Sequence, residues 1–463
     1  MWQGNRTNQQ LGTRTVIGCA WNGIATPLLC CFSLFFLSPW FAHAQEEEAP
    51  QYTLEDCIRI GLARASSLRA AGRDLEIARQ EIRSVRAAVY PSLTLNANYT
   101  RLGDVPDIPA ELGFLISENN YSASFDAEQL LYGGGAVRAA LRIAGYLEDA
   151  AEVEVRRSES ALMRDITRSF YEILFLQEAV GVAEQFIEQL EAIEAQAAQR
   201  YRAETGSEFD WLNAQVALAN ERPTLIAARN ALSLARRAFR DLVRLEEESF
   251  SLAGDLDLTP SALDREQLLL QAEENRPELH VLRAQLEVAR NREDVALSRY
   301  RPEINAFASY AGVEPSQRDP FSQDWQWEWL VGVRATWGLF DGGRRGADLQ
   351  IERLGILQIE DALEDLLRAT RLQVDQLWLL LEEKRETLMG TAENIRLAER
   401  ALAIASVRYE QGLATWLDVT ESNLALNHAR LNHHQALLEY RQAFADLEHV
   451  VGIGEIAGGA GAP

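Results

Sequence analysis

The sequence predicts a mainly α-helical chain with long antiparallel coiled-coil helices and four strands of a membrane β-barrel. Three observations predict this fold class. A run from about Val137 to Arg202 contains no proline and follows heptad spacing. Four short segments alternate apolar and polar side chains, as strands with one apolar face do. Finally, the whole pattern of helix, two strands and two further helices occurs twice.

Composition excludes several classes of function. The 463 residues include 45 basic and 69 acidic side chains, giving a net charge of −24. An acidic surface repels phosphate backbones, so we expect no nucleic-acid partner. None of the six histidines forms an HExxH motif, and neither a GxSxG motif nor a Walker loop occurs. We therefore expect neither enzymatic activity nor a cofactor, and no metal site.

Residues 1–44 are predicted to be a signal peptide. Arg6 and Arg14 precede an apolar run over about Ile24–Phe41, and cleavage is expected after Ala44 in a small-x-small pattern. A membrane anchor is the alternative. The run is short and interrupted by two prolines, which argues against a membrane span.

Only one of the four cysteines, Cys57, lies beyond the predicted signal peptide. A single cysteine cannot form an internal disulfide or a cysteine-based metal cluster. Lipid attachment at Cys30 or Cys31 is a minor alternative, because apolar sequence continues after both.

The chain repeats itself at a nearly constant offset. Leu75–Arg79 recurs 211 residues later as Leu286–Arg290, and Leu131–Gly135 recurs 208 residues later as Leu339–Gly343. The sequence therefore predicts two copies of one structural unit. The predicted organisation is a signal peptide (1–44), a first repeat (45–245), a linker (246–262), a second repeat (263–450) and a flexible tail (451–463).

Heptad seams predict how the helices pack. Apolar or small residues recur in steps of three and four at Ala183, Phe186, Leu190, Ile193, Ala197 and Tyr201, and again at Ile395, Ala398, Leu402, Ala405 and Tyr409. This spacing is typical of coiled coils, and alanine lets helices approach closely. A helix over 137–202 reaches on the order of 100 Å, a length that suits a rod or a tube.

The four predicted strands are Ser92–Thr100, Tyr121–Leu131, Glu303–Tyr310 and Trp329–Leu339. Phe307 breaks the alternation, because it falls among the polar positions. Segments of this length with aromatic ends are typical of membrane barrels, the alternative being a soluble β-sandwich hairpin. Since lipid does not tolerate open strand edges, four strands require oligomerisation, and three protomers would supply twelve.

Several motifs resemble the TolC-like outer-membrane efflux protein family. They occur in the family's order at Tyr52–Asp56, Tyr90–Leu93, Leu131–Gly134, Leu339–Gly343, Arg408–Gly412 and Trp416–Val419. The resemblance covers roughly residues 51–452. It implies a homotrimer with a twelve-stranded β-barrel in outer-membrane lipid and a helical barrel in the periplasm. It also implies a passive exit duct of an efflux or type I secretion system.

In this resemblance, the periplasmic helix tips form an iris that a periplasmic adaptor (a membrane fusion protein) and an inner-membrane pump open. Asp418 and Glu421 are one helical turn apart and match the acidic ring at the narrowest point. In a trimer they would form two stacked rings that favour cations. The alternative is an ordinary acidic helix start after a cap such as Thr415.

Asp210 and Tyr409 match positions where the resembled family ties neighbouring hairpins shut. Ala414 stands where some members have an arginine, so this sequence lacks that link. An ordinary helix cap is an equally good interpretation of Asp210.

Gly206, Gly412, Leu413 and Ala414 match the tip turns that meet the adaptor in the resembled family. Gly412 is equally explained as a helix C-cap glycine. A second hypothesis for the whole chain is a periplasmic coiled-coil scaffold that never spans a membrane. The strand alternation and the grouping of Trp325, Trp327 and Trp329 argue against this hypothesis.

Overall fold

A computed structural model of the chain describes residues 50–103, 118–256, 263–314 and 324–452. The predicted signal peptide lies outside the described residues. So do residues 257–262 of the predicted linker and residues 453–463 of the predicted tail.

Eight helices in the described ranges form two matching sets of four. The first set is α1 (Leu54–Arg64), α2 (Ser66–Ala87), α3 (Ala136–Arg202) and α4 (Glu208–Val243). The second set is α5 (Arg265–Asn275), α6 (Pro277–Ser298), α7 (Arg344–Glu410) and α8 (Trp416–Val451). In both sets the lengths are 11, 22, 67 and 36 residues, so the two repeats fold to the same plan.

The strands form one small and one larger sheet. A two-residue strand β1 (Gln51–Tyr52) pairs in parallel with β4 (Ser251–Leu252). The larger sheet has the order β2-β3-β5-β6 and is antiparallel throughout. Its strands are β2 (Ser92–Arg101), β3 (Asn119–Gly133), β5 (Glu303–Glu314) and β6 (Gln326–Thr336).

The sequence prediction misplaced the last strand, which begins and ends three residues earlier than expected. Trp337 lies beyond its end, where its Nε1 donates to the backbone oxygen of Tyr300 at 3.1 Å. The chain then turns through Gly342 and Gly343, both with positive φ, into α7. Strand β6 ends at Thr336 because that residue pairs with Glu303, the first residue of β5.

Each strand of the larger sheet is joined to one helix, so the helices nearest the sheet take the same order, α2-α3-α6-α7. Farther from the sheet the order becomes α4-α3-α8-α7. The two 67-residue helices α3 and α7 run through both layers, over about 100 Å. In every layer, one edge belongs to the first repeat and the other edge to the second.

The sheet has one apolar and one polar face. The strand pairings align Leu95 with Phe125 and Tyr310 with Trp329, and these side chains share the apolar face. They are exposed in the protomer, as are Leu93, Val331 and Val333 on the same face. Among the described residues, no helix is both long enough and apolar enough to span a bilayer.

The largest core lies where the short helix α1 packs on α3 and α4. Phe170, Phe239 and Ile166 are fully buried there, beside Cys57. The second repeat builds an equivalent core around Val374 and Leu447, with α5 in the place of α1. These cores stabilise the level at which the upper and lower helix layers meet.

Burial, with a smaller contribution from neighbouring Asp56, raises the pKa of the Cys57 thiol to about 12. The side chain is fully buried, and thiolate is the reactive form. We therefore predict that folded protein at pH 8 resists alkylation by N-ethylmaleimide. Unfolded protein should be labelled within minutes, as read by intact mass. Rapid labelling of folded protein would contradict the buried position of α1.

Candidate functional site

The candidate site lies at the two helix tips farthest from the sheet. The chain turns between α3 and α4 through residues 203–207, and between α7 and α8 through residues 411–415. Gly412 has a φ of 74° and ends α7 in the left-handed conformation that glycine adopts without cost. In the first repeat, the corresponding left-handed residue is Glu204, with a φ of 55°, rather than Gly206. Gly206, the tip residue predicted from the sequence, lies within the same turn.

Asp418 lies in the first turn of α8 and caps it. Its Oδ2 accepts hydrogen bonds from the backbone N and the Oγ1 of Thr415, both at 2.7 Å, and its own N donates to Thr415 Oγ1 at 3.3 Å. These hydrogen bonds from Thr415 hold the pKa of the Asp418 carboxyl below its usual value. The cap therefore fixes a charged carboxylate, and Asp418 and Glu421 both face solvent.

Asp210 occupies the position in α4 that Asp418 occupies in α8, but its environment differs. The cap of α4 is Ser207, whose Oγ accepts from the backbone N of Phe209 at 3.1 Å. Within the described part of the chain, the Asp210 carboxylate forms no hydrogen bond or ion pair. The helix-cap interpretation therefore holds for Asp418 and fails for Asp210, whose half-buried carboxylate stays available.

Tyr409 is held by an arginine that the sequence did not single out. The guanidinium carbon of Arg200 lies 4.4 Å from the Tyr409 ring centroid. A cation–π contact of this kind is worth about 0.5–2 kcal/mol. It joins the end of α3 to the end of α7, and so ties the two hairpins of one protomer. No described hydrogen bond joins Tyr409 to Asp210, the other predicted gate residue.

An aromatic cluster surrounds this contact. Trp416, 8% exposed, is buried against Ala197 and Ala214 of the other repeat. Tyr201 stacks on Trp211 with ring centroids 5.4 Å apart, and Trp211 Nε1 donates to Glu194 at 2.6 Å. Second-repeat aromatic side chains therefore dock into the first-repeat hairpin. In the sequence, the Arg-Tyr pair that recurs at 200–201 and 408–409 marks the position of this cluster.

The remaining predicted tip residues lie in the two turns. Gly412, Leu413 and Ala414 are in the turn between α7 and α8, and Gly206 is in the turn between α3 and α4. Leu413 is 66% exposed, and its backbone N donates to the Arg408 oxygen at 2.7 Å, which closes the turn. Gly412 is exposed, whereas Ala414 and Gly206 are half-buried. A protruding apolar side chain on a rigid turn is a suitable contact for another protein.

A sheet with one apolar face, continued by two 67-residue helices that end in paired tips, defines a membrane-anchored duct. The family model for outer membrane efflux protein matches residues 58–243 and 268–453, one match for each repeat. The chain belongs to the outer membrane efflux protein family. It is an outer-membrane exit duct that extends into the periplasm, and not an enzyme. Channels of this family act with an adaptor and an inner-membrane pump.

Individual relatives agree with this assignment. The chain is 25% identical to the cobalt-zinc-cadmium resistance protein CzcC of Cupriavidus metallidurans, over 90% of this chain and 97% of CzcC. It superposes on the crystal structure of CusC with a TM-score of 0.74 at 17% identity, covering 87% of this chain and 92% of CusC. The open-state MtrE channel of Neisseria gonorrhoeae gives 0.71 at 20% identity, with coverages of 87% and 89%. These likenesses confirm the predicted combination of helical barrel and β-barrel.

The Arg200 contact predicts how the tip responds to substitution. Tyr409→Phe keeps the aromatic ring and should leave single-channel conductance in planar bilayers unchanged. Tyr409→Ala and Arg200→Ala each remove the cation–π contact and should raise conductance or opening frequency at least two-fold, at about 1 kcal/mol per contact. Arg202→Ala, at an exposed arginine of the same tip, is the matched control. If Tyr409→Phe opened the channel as Tyr409→Ala does, the hydroxyl rather than the ring would hold the tip.

Proposed function

We propose that three copies of this chain close head to tail into a continuous duct. The observation that carries this proposal is the set of open edges. Strand β2 and helices α2 and α4 form one edge of the protomer, and strand β6 and helix α7 form the other. Like edges that paired antiparallel about a two-fold axis would place the helices of the two copies on opposite sides of the membrane, so each edge meets the opposite edge of another copy. A heterologous contact of this kind closes into a ring when its rotation permits.

Side chains along the helical edges support closure. Apolar residues that are exposed in the protomer recur on α4 at Leu212, Val216, Ile226 and Leu234. Others recur on α7 at Leu372, Leu379, Leu397 and Ile404. A stripe of this length on a soluble surface would be unfavourable unless another helix covered it. The helical edges therefore join at the same seam as the strand edges.

The strands would then form a twelve-stranded barrel in outer-membrane lipid. Aromatic side chains mark both ends of the apolar face. Tyr310 and Trp327 stack at one end with centroids 5.0 Å apart, and Tyr99 and Tyr121 lie beside each other at 5.0 Å. Trp337 marks the other end. Ten residues separate Trp327 from Trp337, which corresponds to about 25 Å of height for a strand tilted by about 40°. That height matches the apolar band of outer-membrane barrels.

At the opposite end of the duct, the tips would form the iris. Asp418 and Glu421 from three protomers give two acidic rings that narrow the entrance and favour cations. Asp210 adds a half-buried carboxylate at the equivalent position of the first repeat. The turns at Gly206, Gly412, Leu413 and Ala414 would contact a periplasmic adaptor, which opens the iris when the inner-membrane pump engages. The duct itself is passive.

The proposed organisation of the chain follows from this assembly. Residues 1–44 direct export and are removed, and the repeats at 45–245 and 263–450 each supply half of the protomer's walls. The linker at 246–262 joins them, with β4 pairing back to β1 at the level of the main core. The tail at 451–463 begins with Val451, which is the last residue of α8. The periplasmic scaffold hypothesis leaves the exposed apolar face of the sheet unexplained.

Trimer formation is testable on detergent-purified protein. We predict three chains per particle by light scattering with detergent correction, and release from membranes by detergent but not by a high-salt wash. Both expectations rest on the open strand edges, whose backbone groups need partners in lipid. A monodisperse single chain, or release by salt, would support the scaffold hypothesis instead.

The iris is testable by removing charge while keeping shape. Asp418→Asn with Glu421→Gln keeps acceptors for Thr415, so the cap of α8 should remain. We predict higher single-channel conductance and a reduced preference for potassium over chloride in planar bilayers. Asp418→Ala with Glu421→Ala should change conductance similarly, with about 1 kcal/mol less stability from the lost cap. Unchanged conductance and selectivity would place the constriction elsewhere.

A further inference from the structure

The polar face of the sheet carries a pair of opposite charges at equivalent positions of the two repeats. Asp126 of β3 and Arg334 of β6 are 208 residues apart, the offset that relates α3 to α7. Both share the polar face, because Asp126 pairs with Ser309 and Arg334 pairs with Asn305. In a barrel built from alternating copies of one strand pair, equivalent positions stand at the same height. The pair therefore faces the lumen at one level.

The Asp126 carboxylate is fully engaged by its neighbours. Its Oδ2 accepts from Asn96 Nδ2 at 2.9 Å and from Ser124 Oγ at 2.6 Å. Its Oδ1 accepts from Ser309 Oγ at 2.5 Å. Donors from three adjacent strands thus fix this carboxylate on the wall and occupy much of its capacity to bind a passing cation.

Arg334 has the opposite character. Among the described residues, its guanidinium forms no ion pair and no hydrogen bond. The other arginine of the larger sheet, Arg101, pairs with Glu118 at 3.5 Å. The guanidinium carbon of Arg334 instead lies 4.9 Å from the ring centroid of Phe307, the residue that broke the alternation of its strand. An aromatic face holds a guanidinium in place without neutralising its charge.

The backbone makes room for this arrangement. Gly332 is paired with Phe307 across the strands. A Cβ at position 332 would lie 2.8 Å from Cζ of the Phe307 ring, closer than such atoms approach. The absent side chain lets the ring lie flat against the wall under Arg334. Phe307 therefore lies on the polar face, where its ring supports the guanidinium of Arg334.

We propose that Arg334 is a selectivity-determining residue of the barrel. This inference rests on the proposed trimer. Around its lumen, three unpaired Arg334 guanidinium groups alternate with three hydrogen-bonded Asp126 carboxylates. The Arg334 groups admit anionic solutes to a duct that is otherwise acidic. Chloride and carboxylate groups are the chemistry that this ring would favour.

The dimensions allow these charges to act on solutes. Twelve strands about 4.8 Å apart and tilted by about 40° give a wall radius of about 12 Å, and side chains leave a lumen radius of about 7 Å. Neighbouring Asp126 and Arg334 positions are then about 12 Å apart along the wall. Within the protomer the two side chains do not pair, because Asp126 is bonded to Asn96, Ser124 and Ser309, and Arg334 lies over Phe307. The Debye length is about 10 Å in 0.1 M salt and about 3 Å in 1 M salt. Arg334 should therefore influence permeation strongly only in dilute salt.

The test measures reversal potentials of the full chain in planar bilayers under a potassium chloride gradient. The iris should dominate selectivity in the closed duct, so each variant is also made with Asp418→Asn and Glu421→Gln. At 0.1 M mean salt, Arg334→Gln should raise the ratio of potassium to chloride permeability at least about two-fold, and the effect should fade at 1 M. Arg334→Lys keeps the charge and should preserve the ratio. Arg101→Gln, which removes a paired arginine at the strand end, is the matched control.

The outcomes separate this inference from the proposed duct. If the parent protein conducts but Arg334→Gln leaves the permeability ratio unchanged at low salt, Arg334 has no role in selectivity and the duct stands. An equal shift in Arg101→Gln would also overturn the inference, because any arginine would then suffice. If the parent protein forms no channel, the proposed trimer fails first.

Discussion

The structure depends on one constraint, which is that backbone groups at the edge of a sheet must be paired before lipid can surround them. Strands β2 and β6 each pair on one side only. The cost of an unpaired amide or carbonyl in hydrocarbon is several kcal/mol, so a lone protomer cannot be the membrane-embedded species. The helical edges also need a partner in water, because α4 and α7 expose apolar stripes along the same two edges.

Because the chain is internally duplicated, a single kind of contact between chains would pair every open edge. Each repeat contributes one complete edge and one side of the inner seam, where α3 packs on α6 in the upper layer and on α8 in the lower layer. Polar contacts hold this inner seam as well. Arg168 of α3 donates to Asp446 of α8, and Arg142 donates to Asp294 of α6 at 2.6 Å. In the proposed trimer, the contact between repeats within one chain would resemble the contact that joins one chain to the next.

Much of the fold could be predicted from the sequence because it depends on periodicity. Strand alternation and the proline-free run placed most strands and the long helix to within a few residues. Contacts between the repeats could not be predicted in this way. Arg200 meets Tyr409 across 209 positions, and no local pattern shows that Trp416 is buried while Leu417 beside it is exposed. The two carboxylates show the same limit, since at identical spacing Asp418 forms a capping box with Thr415 whereas Asp210 forms none with Ser207.

The matching helix lengths have a consequence for how such a molecule can change over time. The proposed trimer would have approximate six-fold symmetry while being encoded as three identical chains, so each wall position would be specified twice in the gene. One copy can keep an ancestral side chain while the other acquires a new one, as the unlike residues at 126 and 334 illustrate. A hypothetical ancestor with a single unit would have needed six subunits and could have offered only uniform rings. In the proposed trimer, two unlike units in one chain would therefore give the duct alternating chemistry around its circumference without any change in its architecture.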